Sequence, residues 1–251
     1  MKQLSKDQPF SLVLSGGGAL GIAHLGVLHD LEFRGLVPAE IVGTSMGGII
    51  GACMATGMRE AQIYEVLRAF ASVTKWIKFS LGGNAIVDNG RIEKIFDGLF
   101  GERRMSDVEI PLKIIATDLL SGEKRVFDAE DHIMIKDAVL ATMAIPGIFK
   151  ERTIASKVYG DGFLCENLGL RESSYEDVLA VDVVGYHSFS KRLPDNFFKT
   201  FNVVEMLERS IRLLMYNQTK NIRILEPDTS AYKTFHFHKV DEIRKLGLDL
   251  L

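Results

Sequence analysis

The 251-residue sequence predicts an α/β fold built on a mainly parallel sheet. Three observations carry that prediction. The first 72 residues read strand, helix, strand, helix, helix, the opening of a parallel α/β sheet. The first two strands each end in a glycine-rich loop, and 11 of the 23 glycines fall between Gly16 and Gly57. Apolar runs of strand length continue through the rest of the chain without an internal repeat, a low-complexity tract or a linker. One domain over residues 1–251 is therefore expected.

Phe10–Ser15 is an apolar run rich in Leu and Val, and it stops at Gly16-Gly17-Gly18, a strand followed by a tight loop. From Ala19 to Arg34, Leu20, Ala23, Val27, Leu28 and Leu31 recur at three- and four-residue steps, which predicts a helix stopped by Gly35. Ile41-Val42 is a second short strand, closed by Gly43-Thr44-Ser45-Met46-Gly47-Gly48. Helices follow over Met46 to about Thr56 and over Arg59–Ser72, separated by Gly57. Thr74–Gly101 reads as less regular, broken by Gly82, Gly83, Gly90 and Gly98. Leu112–Thr117 and Lys124–Phe127 are partner strands around a Ser121-Gly122 turn. A helix near Ile133–Thr142 ends ahead of Pro146-Gly147. Val158-Tyr159 is a brief strand before Gly160-Asp161-Gly162, and Val178–Val184 is a strong one. Asn196–Gln218 is a long amphipathic helix whose face of Phe197, Phe201, Val204, Ile211, Leu214 and Met215 suits packing on the sheet. Ile222–Leu225 and Thr234–Phe237 read as late strands, the second with His236 and His238 on one face.

Composition narrows the function. Hydrophobic residues make up 47% and charged residues 25%, which excludes disorder, a collagen-like repeat and a disulfide scaffold. Lys and Arg number 30 against 33 Asp and Glu, a net charge of −3, so no basic face for nucleic acid is expected. No long apolar segment follows the first lysines, and no apolar run is long enough to span a bilayer. Cys53 and Cys165 fit a reduced chain, and a cytoplasmic location is expected. The six histidines show no metal-ligand spacing, and neither metal nor cofactor is expected.

Gly43–Gly47 fits G-x-S-x-G. A serine at a sharp strand-to-helix turn presents its hydroxyl to open space, and the flanking glycines let strand and helix cross closely. A tight turn with Ser45 as a helix cap fits the same five residues. Gly16–Gly21 fits G-x-G-x-x-G after a strand. A dinucleotide reading needs a carboxylate at the end of the second strand, where this chain has Gly43-Thr44-Ser45. Consecutive glycine N–H groups beside a nucleophilic serine serve instead as an oxyanion hole. A nucleophilic serine needs a base. His187, His236 and His238 are candidates for a histidine triad. Asp161 has the more marked loop signal, although on this signal alone a plain Asp-Gly turn is the better reading.

Together these segments resemble the patatin-like phospholipase family. The likeness runs from Leu12 to about Gly247, through Gly16–Gly21, Ala23–Leu28, Gly43–Gly48, Ala116–Leu119, Gly122-Glu123, Ala144–Phe149 and Asp161-Gly162. It implies a three-layer α/β/α fold and lipid acyl hydrolysis by a Ser–Asp dyad through an acyl-serine. Ser45 matches the family nucleophile, Asp161 its proton acceptor and Gly16, Gly17 and Gly18 the oxyanion hole. Gly21, Gly43, Gly47 and Gly162 support these motifs. The chain departs from the family pattern at Leu20, often Arg, at Phe163, often Gly or Ala, and at Leu168, commonly Pro. Leu20 removes a charge beside the oxyanion loop, and Phe163 is large enough to narrow the site. Acyl transfer would use the same acyl-serine, and a non-catalytic lipid-binding protein would use the same fold. The partner implied is a lipid or phospholipid ester. Trp76, between Lys75 and Lys78, is a candidate for peripheral contact with a membrane surface, and packing on the domain is its alternative.

Overall fold

A computed structural model describes residues 5–74, 89–185 and 220–251. The strands are β1 (Phe10–Leu14), β2 (Glu40–Thr44), β3 (Leu112–Asp118), β4 (Lys124–Phe127), β5 (Arg152–Ile154), β6 (Lys157–Asp161), β7 (Asp177–Val181) and β8 (Asn221–Leu225). They form one sheet in the order β5-β6-β3-β2-β1-β7-β8, with β4 also paired to β3. The pairs among β3, β2, β1, β7 and β8 are parallel, and those that join β4, β5 and β6 are antiparallel. This is the mixed α/β architecture with a mainly parallel centre that the sequence predicts.

Both faces of the central strands are buried, and the side chains sort by a period of two. Leu12, Leu14, Ile41, Ile114, Leu179 and Val181 join the larger core. Val13, Val42, Ile115, Val178 and Ala180 join a smaller one with Leu168 and Leu170. The larger core takes apolar residues from α1 (His24–Arg34), α2 (Met46–Ala55), α3 (Glu60–Thr74), α4 (Asn89–Phe100) and α5 (Ile135–Thr142). The predicted helix Asn196–Gln218 lies outside the described residues, as does Trp76.

Four local elements differ from those predicted. The first helix opens as a 3₁₀ segment, Gly18–Ala23, before α1 begins at His24. Within it Gly21 lies against Met46, where an added Cβ would stand 2.5 Å from Cγ. α4 forms within the stretch read as irregular, because Ile92, Phe96 and Phe100 recur every four residues and bury together, while Gly98 lies on the exposed side. β5 adds a strand that the short Arg152–Ile154 run did not announce. Thr234–Phe237 is not a strand: the Thr234 carbonyl accepts the Ala19 N–H at 2.7 Å, and a 3₁₀ turn, Phe237–Lys239, leads into a helix over Val240–Lys245. The Phe-His alternation there arises from that turn.

Candidate active site

In parallel sheets the carboxyl ends of strands open onto a crevice where the direction of winding reverses. Here that point is β1, flanked by β2 on one side and β7 on the other. The loop after β1 carries Gly16, Gly17 and Gly18, and the loop after β2 is Ser45 alone. Ser45 has φ 53° and ψ −122°, and α2 starts at the next residue. A non-glycine residue in that region typically costs about 1–3 kcal/mol and persists only where its surroundings impose it. The surroundings are tight. An added Cβ at Gly43 would stand 2.6 Å from the Gly47 carbonyl oxygen, and one at Gly47 would stand 2.3 Å from the Leu14 carbonyl oxygen. Glycine at both positions lets α2 lie directly on β1 and β2. Ser45 is thereby thrust out at the head of the helix, although only 6% of its surface is exposed.

Asp161, the last residue of β6, arrives by a different route. Ile114 and Ile115 of β3 pair with β2 and β4, whereas Ala116 and Thr117 pair with β4 and β6. A strand has two edges, so β2 and β6 share one of them, end to end. β2 leaves β3 after Thr44, opposite Ile115, and β6 takes the next position with Asp161 opposite Ala116. Gly162 permits the junction, since a Cβ there would stand 2.3 Å from the Ile115 carbonyl oxygen. The two strand ends bring Ser45 and Asp161 together. The Ser45 hydroxyl donates to Asp161 Oδ2 at 2.6 Å, and the Phe163 N–H donates to Oδ1 at 3.0 Å.

Asp161 is wholly buried, and that burial pushes its carboxyl pKa up to about 7, against the two hydrogen bonds that favour the anion. The carboxylate base then exchanges its proton in the neutral range rather than far below it. This answers the weakness of an ordinary aspartate, whose low pKa makes it a poor proton acceptor.

The glycine loop lies beside them. The Gly16 N–H donates to the Asn167 carbonyl at 3.4 Å, and the Ala19 N–H is taken by Thr234. Among the described residues no acceptor takes the N–H of Gly17 or Gly18. Gly18 has φ 57°, a conformation that suits glycine. His24 supports the loop from below: its Nε2 donates to the Ser15 carbonyl at 2.8 Å, and burial lowers its pKa to about 4, so it stays neutral. Asn167 Nδ2 reaches the Gly16 carbonyl at 3.5 Å. Sequence reasoning gives no role to Asn167 or to Thr142, whose hydroxyl accepts the Ser45 N–H. The usable signal was a polar residue inside an otherwise apolar buried run, as Thr142 is between Ala138 and Ala144.

An apolar crevice adjoins the serine, bounded by Ile49, Phe70, Met143, Ile145, Phe149 and Phe235. Its free volume is about 20 Å³, room for about one water. Neither Leu20 nor Phe163 lines it. His236 and His238 lie with their rings 5.4 Å apart on the turn after β8, and His187 falls outside the described residues. Among the described residues no cluster of three or more His, Cys, Asp or Glu could hold a metal ion, and no helix is long and apolar enough to cross a membrane.

Comparison with known proteins places the chain in a wider group. The model of the family described as patatin-like phospholipase matches residues 12–173. An uncharacterized NTE family protein of Mycobacterium tuberculosis is 28% identical over 262 residues, covering 94% of this chain and 44% of that protein. The lysophospholipase NTE1 of Debaryomyces hansenii is 23% identical over 279 residues, covering 99% of this chain and 18% of that protein. This chain thus spans less than half the length of either relative. The crystal structure of VipD from Legionella pneumophila shares the fold with a TM-score of 0.52 at 13% identity, covering 97% of this chain and 66% of that one.

Proposed function

This chain belongs to the patatin-like phospholipase family, and on that premise we propose that it is a serine acyl hydrolase of lipid esters. The single observation that carries the reading is the 2.6 Å hydrogen bond from the Ser45 hydroxyl to a buried carboxylate with a raised pKa. Asp161 accepts the Ser45 proton as Oγ attacks the ester carbonyl carbon. The carbonyl oxygen becomes an oxyanion, held by the N–H groups of Gly17 and Gly18; loss of one such donor typically costs roughly 10²–10³ in rate. The tetrahedral species collapses, the alcohol leaves with the proton from Asp161, and the acyl group stays on Ser45. Water, activated in turn by Asp161, releases the fatty acid and restores the serine.

The apolar crevice beside Ser45 takes the acyl chain. Its small free volume means that Met143 and the aromatic side chains around it must move aside as the chain enters. Met143 is suited to this, being unbranched and adaptable. The lipid substrate also implies contact with a membrane surface while the ester is drawn into the site.

The test is Ser45→Ala and Asp161→Asn, assayed on a chromogenic medium-chain ester and on phospholipid vesicles. Both variants are expected to lose nearly all activity on both substrates. A fluorophosphonate is expected to label the wild type at Ser45 and not to label Ser45→Ala. Full activity in Ser45→Ala, or labelling elsewhere, refutes the reading.

A further inference from the structure

β2 leaves the sheet abruptly, and the way its last rung is closed singles out a residue with no role in the reaction above. Thr44 pairs with Ile115 in parallel register, and one residue later the chain turns into the strained Ser45. Had β2 continued, the Ser45 N–H would have joined the ladder to β3. Instead the hydroxyl of Thr142, the last residue of α5, stands between the two strands. It accepts the Ser45 N–H at 2.7 Å and donates to the Ile115 carbonyl at 2.5 Å. A hydroxyl has one proton, which goes to Ile115, so an oxygen lone pair faces Ser45. The direction of both bonds is set.

Three facts make this bridge specific to the reactive geometry. Thr142 is fully buried, so water cannot substitute for it without opening the core. Its partner on one side is the backbone of the nucleophile itself, at the one non-glycine residue of the site with positive φ. Its partner on the other side is the β3 residue at which β2 hands over to β6, one position before the residue opposite Asp161. The bridge therefore ties the nucleophile's backbone to the strand that carries its proton acceptor.

We propose that Thr142 is a positioning residue that holds Ser45 in its strained conformation and at bonding distance from Asp161 by replacing the missing rung of the β2–β3 ladder. It touches neither substrate nor reacting atoms. The inference rests on the hydrolase reading above, since it assigns Thr142 to the geometry of that dyad.

The test compares Thr142→Val, which keeps the shape and removes the hydroxyl, with Thr142→Ser, which keeps the hydroxyl and removes the methyl. A displacement of the nucleophile on the order of 1 Å costs about 10²-fold in rate. Thr142→Val is expected to lower kcat roughly 10- to 100-fold, with KM within about twofold of wild type. The second-order rate of fluorophosphonate labelling at Ser45 should fall in parallel. Thr142→Ser is expected to stay within about threefold of wild type in both. Thermal unfolding of each variant separates fold loss from mispositioning, and Thr142→Ala is read in place of Thr142→Val if the latter does not fold. Labelling and kcat near wild type in folded Thr142→Val or Thr142→Ala overturn the proposal. So does a Thr142→Ser loss as large as that of Thr142→Val, which would assign the effect to packing. If Ser45→Ala keeps its activity, the hydrolase reading fails and the proposal falls with it. If Ser45→Ala and Asp161→Asn are inactive while Thr142→Val is not, the proposal alone fails.

Discussion

Replacing Asp161 by asparagine should inactivate the protein and stabilise its fold, by an amount that grows with pH. The carboxyl is wholly buried, and its pKa moves from the ordinary 3.8 to about 7. A group with a pKa raised on folding binds its proton more tightly in the native state. Its contribution is favourable below the unfolded pKa and is lost as pH rises through the folded one. At roughly 1.4 kcal/mol per tenfold in proton affinity, ionised Asp161 costs the native state on the order of 4 kcal/mol at about pH 8. Near pH 5 the buried carboxyl is protonated while the unfolded one is largely ionised, and the cost falls to roughly 1.5–2 kcal/mol. Asparagine carries no charge to bury and keeps both contacts: its amide oxygen accepts from Phe163, and its amide nitrogen donates to the Ser45 hydroxyl. Urea unfolding of wild type and Asp161→Asn at both pH values reads the difference directly. The stabilisation is expected to be larger at pH 8 than at pH 5 by on the order of 2 kcal/mol. A variant less stable than wild type at pH 8, or a gain independent of pH, refutes the argument that burial of this carboxyl raises its pKa.

The same carboxyl sets a rate profile: kcat/KM on a soluble ester should fall about tenfold per pH unit below about 7, since only the anion accepts the serine proton, and a flat profile down to about pH 5 would contradict this. Met143→Trp fills the crevice and should move the preference in a series of p-nitrophenyl esters toward short chains with little change on the acetate; an unchanged chain-length profile removes the crevice as the acyl site. Gly47→Ala places a methyl 2.3 Å from the Leu14 carbonyl oxygen and should destabilise the fold by roughly 1–3 kcal/mol or more through overpacking, read as a lowered Tm.

The parts of the site legible in the sequence are those made by contiguous residues. The loop after β1 and the elbow around Ser45 each depend on local backbone geometry, so their glycines stand in the sequence as motifs. Asp161 is weaker, because a lone Asp-Gly reads first as a turn; the wider order of segments singles it out. Thr142 was invisible for a related reason. It meets Ser45 across 97 residues, and in its own helix it looks like one more polar residue closing an apolar turn. α4 is hidden where Gly90 and Gly98 outweigh the four-residue spacing of Ile92, Phe96 and Phe100. The Thr234–Phe237 stretch reads as a strand and is a turn, because alternation in four residues cannot tell a strand from a turn whose aromatic rings face the same core.

The end-to-end placement of β2 and β6 along one edge of β3 makes the spacing of serine and aspartate a matter of counting. They are 116 residues apart in the chain, yet insertions in the intervening loops leave their separation unchanged, because none of those loops sets it. What does set it moves only in whole steps. Sliding β6 by one residue along β3 would carry Asp161 about 3.3 Å along the strand and turn its side chain to the opposite face of the sheet. The pair is thus tolerant of great change in the length of the chain between its members and intolerant of the smallest possible change in pairing, with no intermediate arrangement through which one could drift into the other.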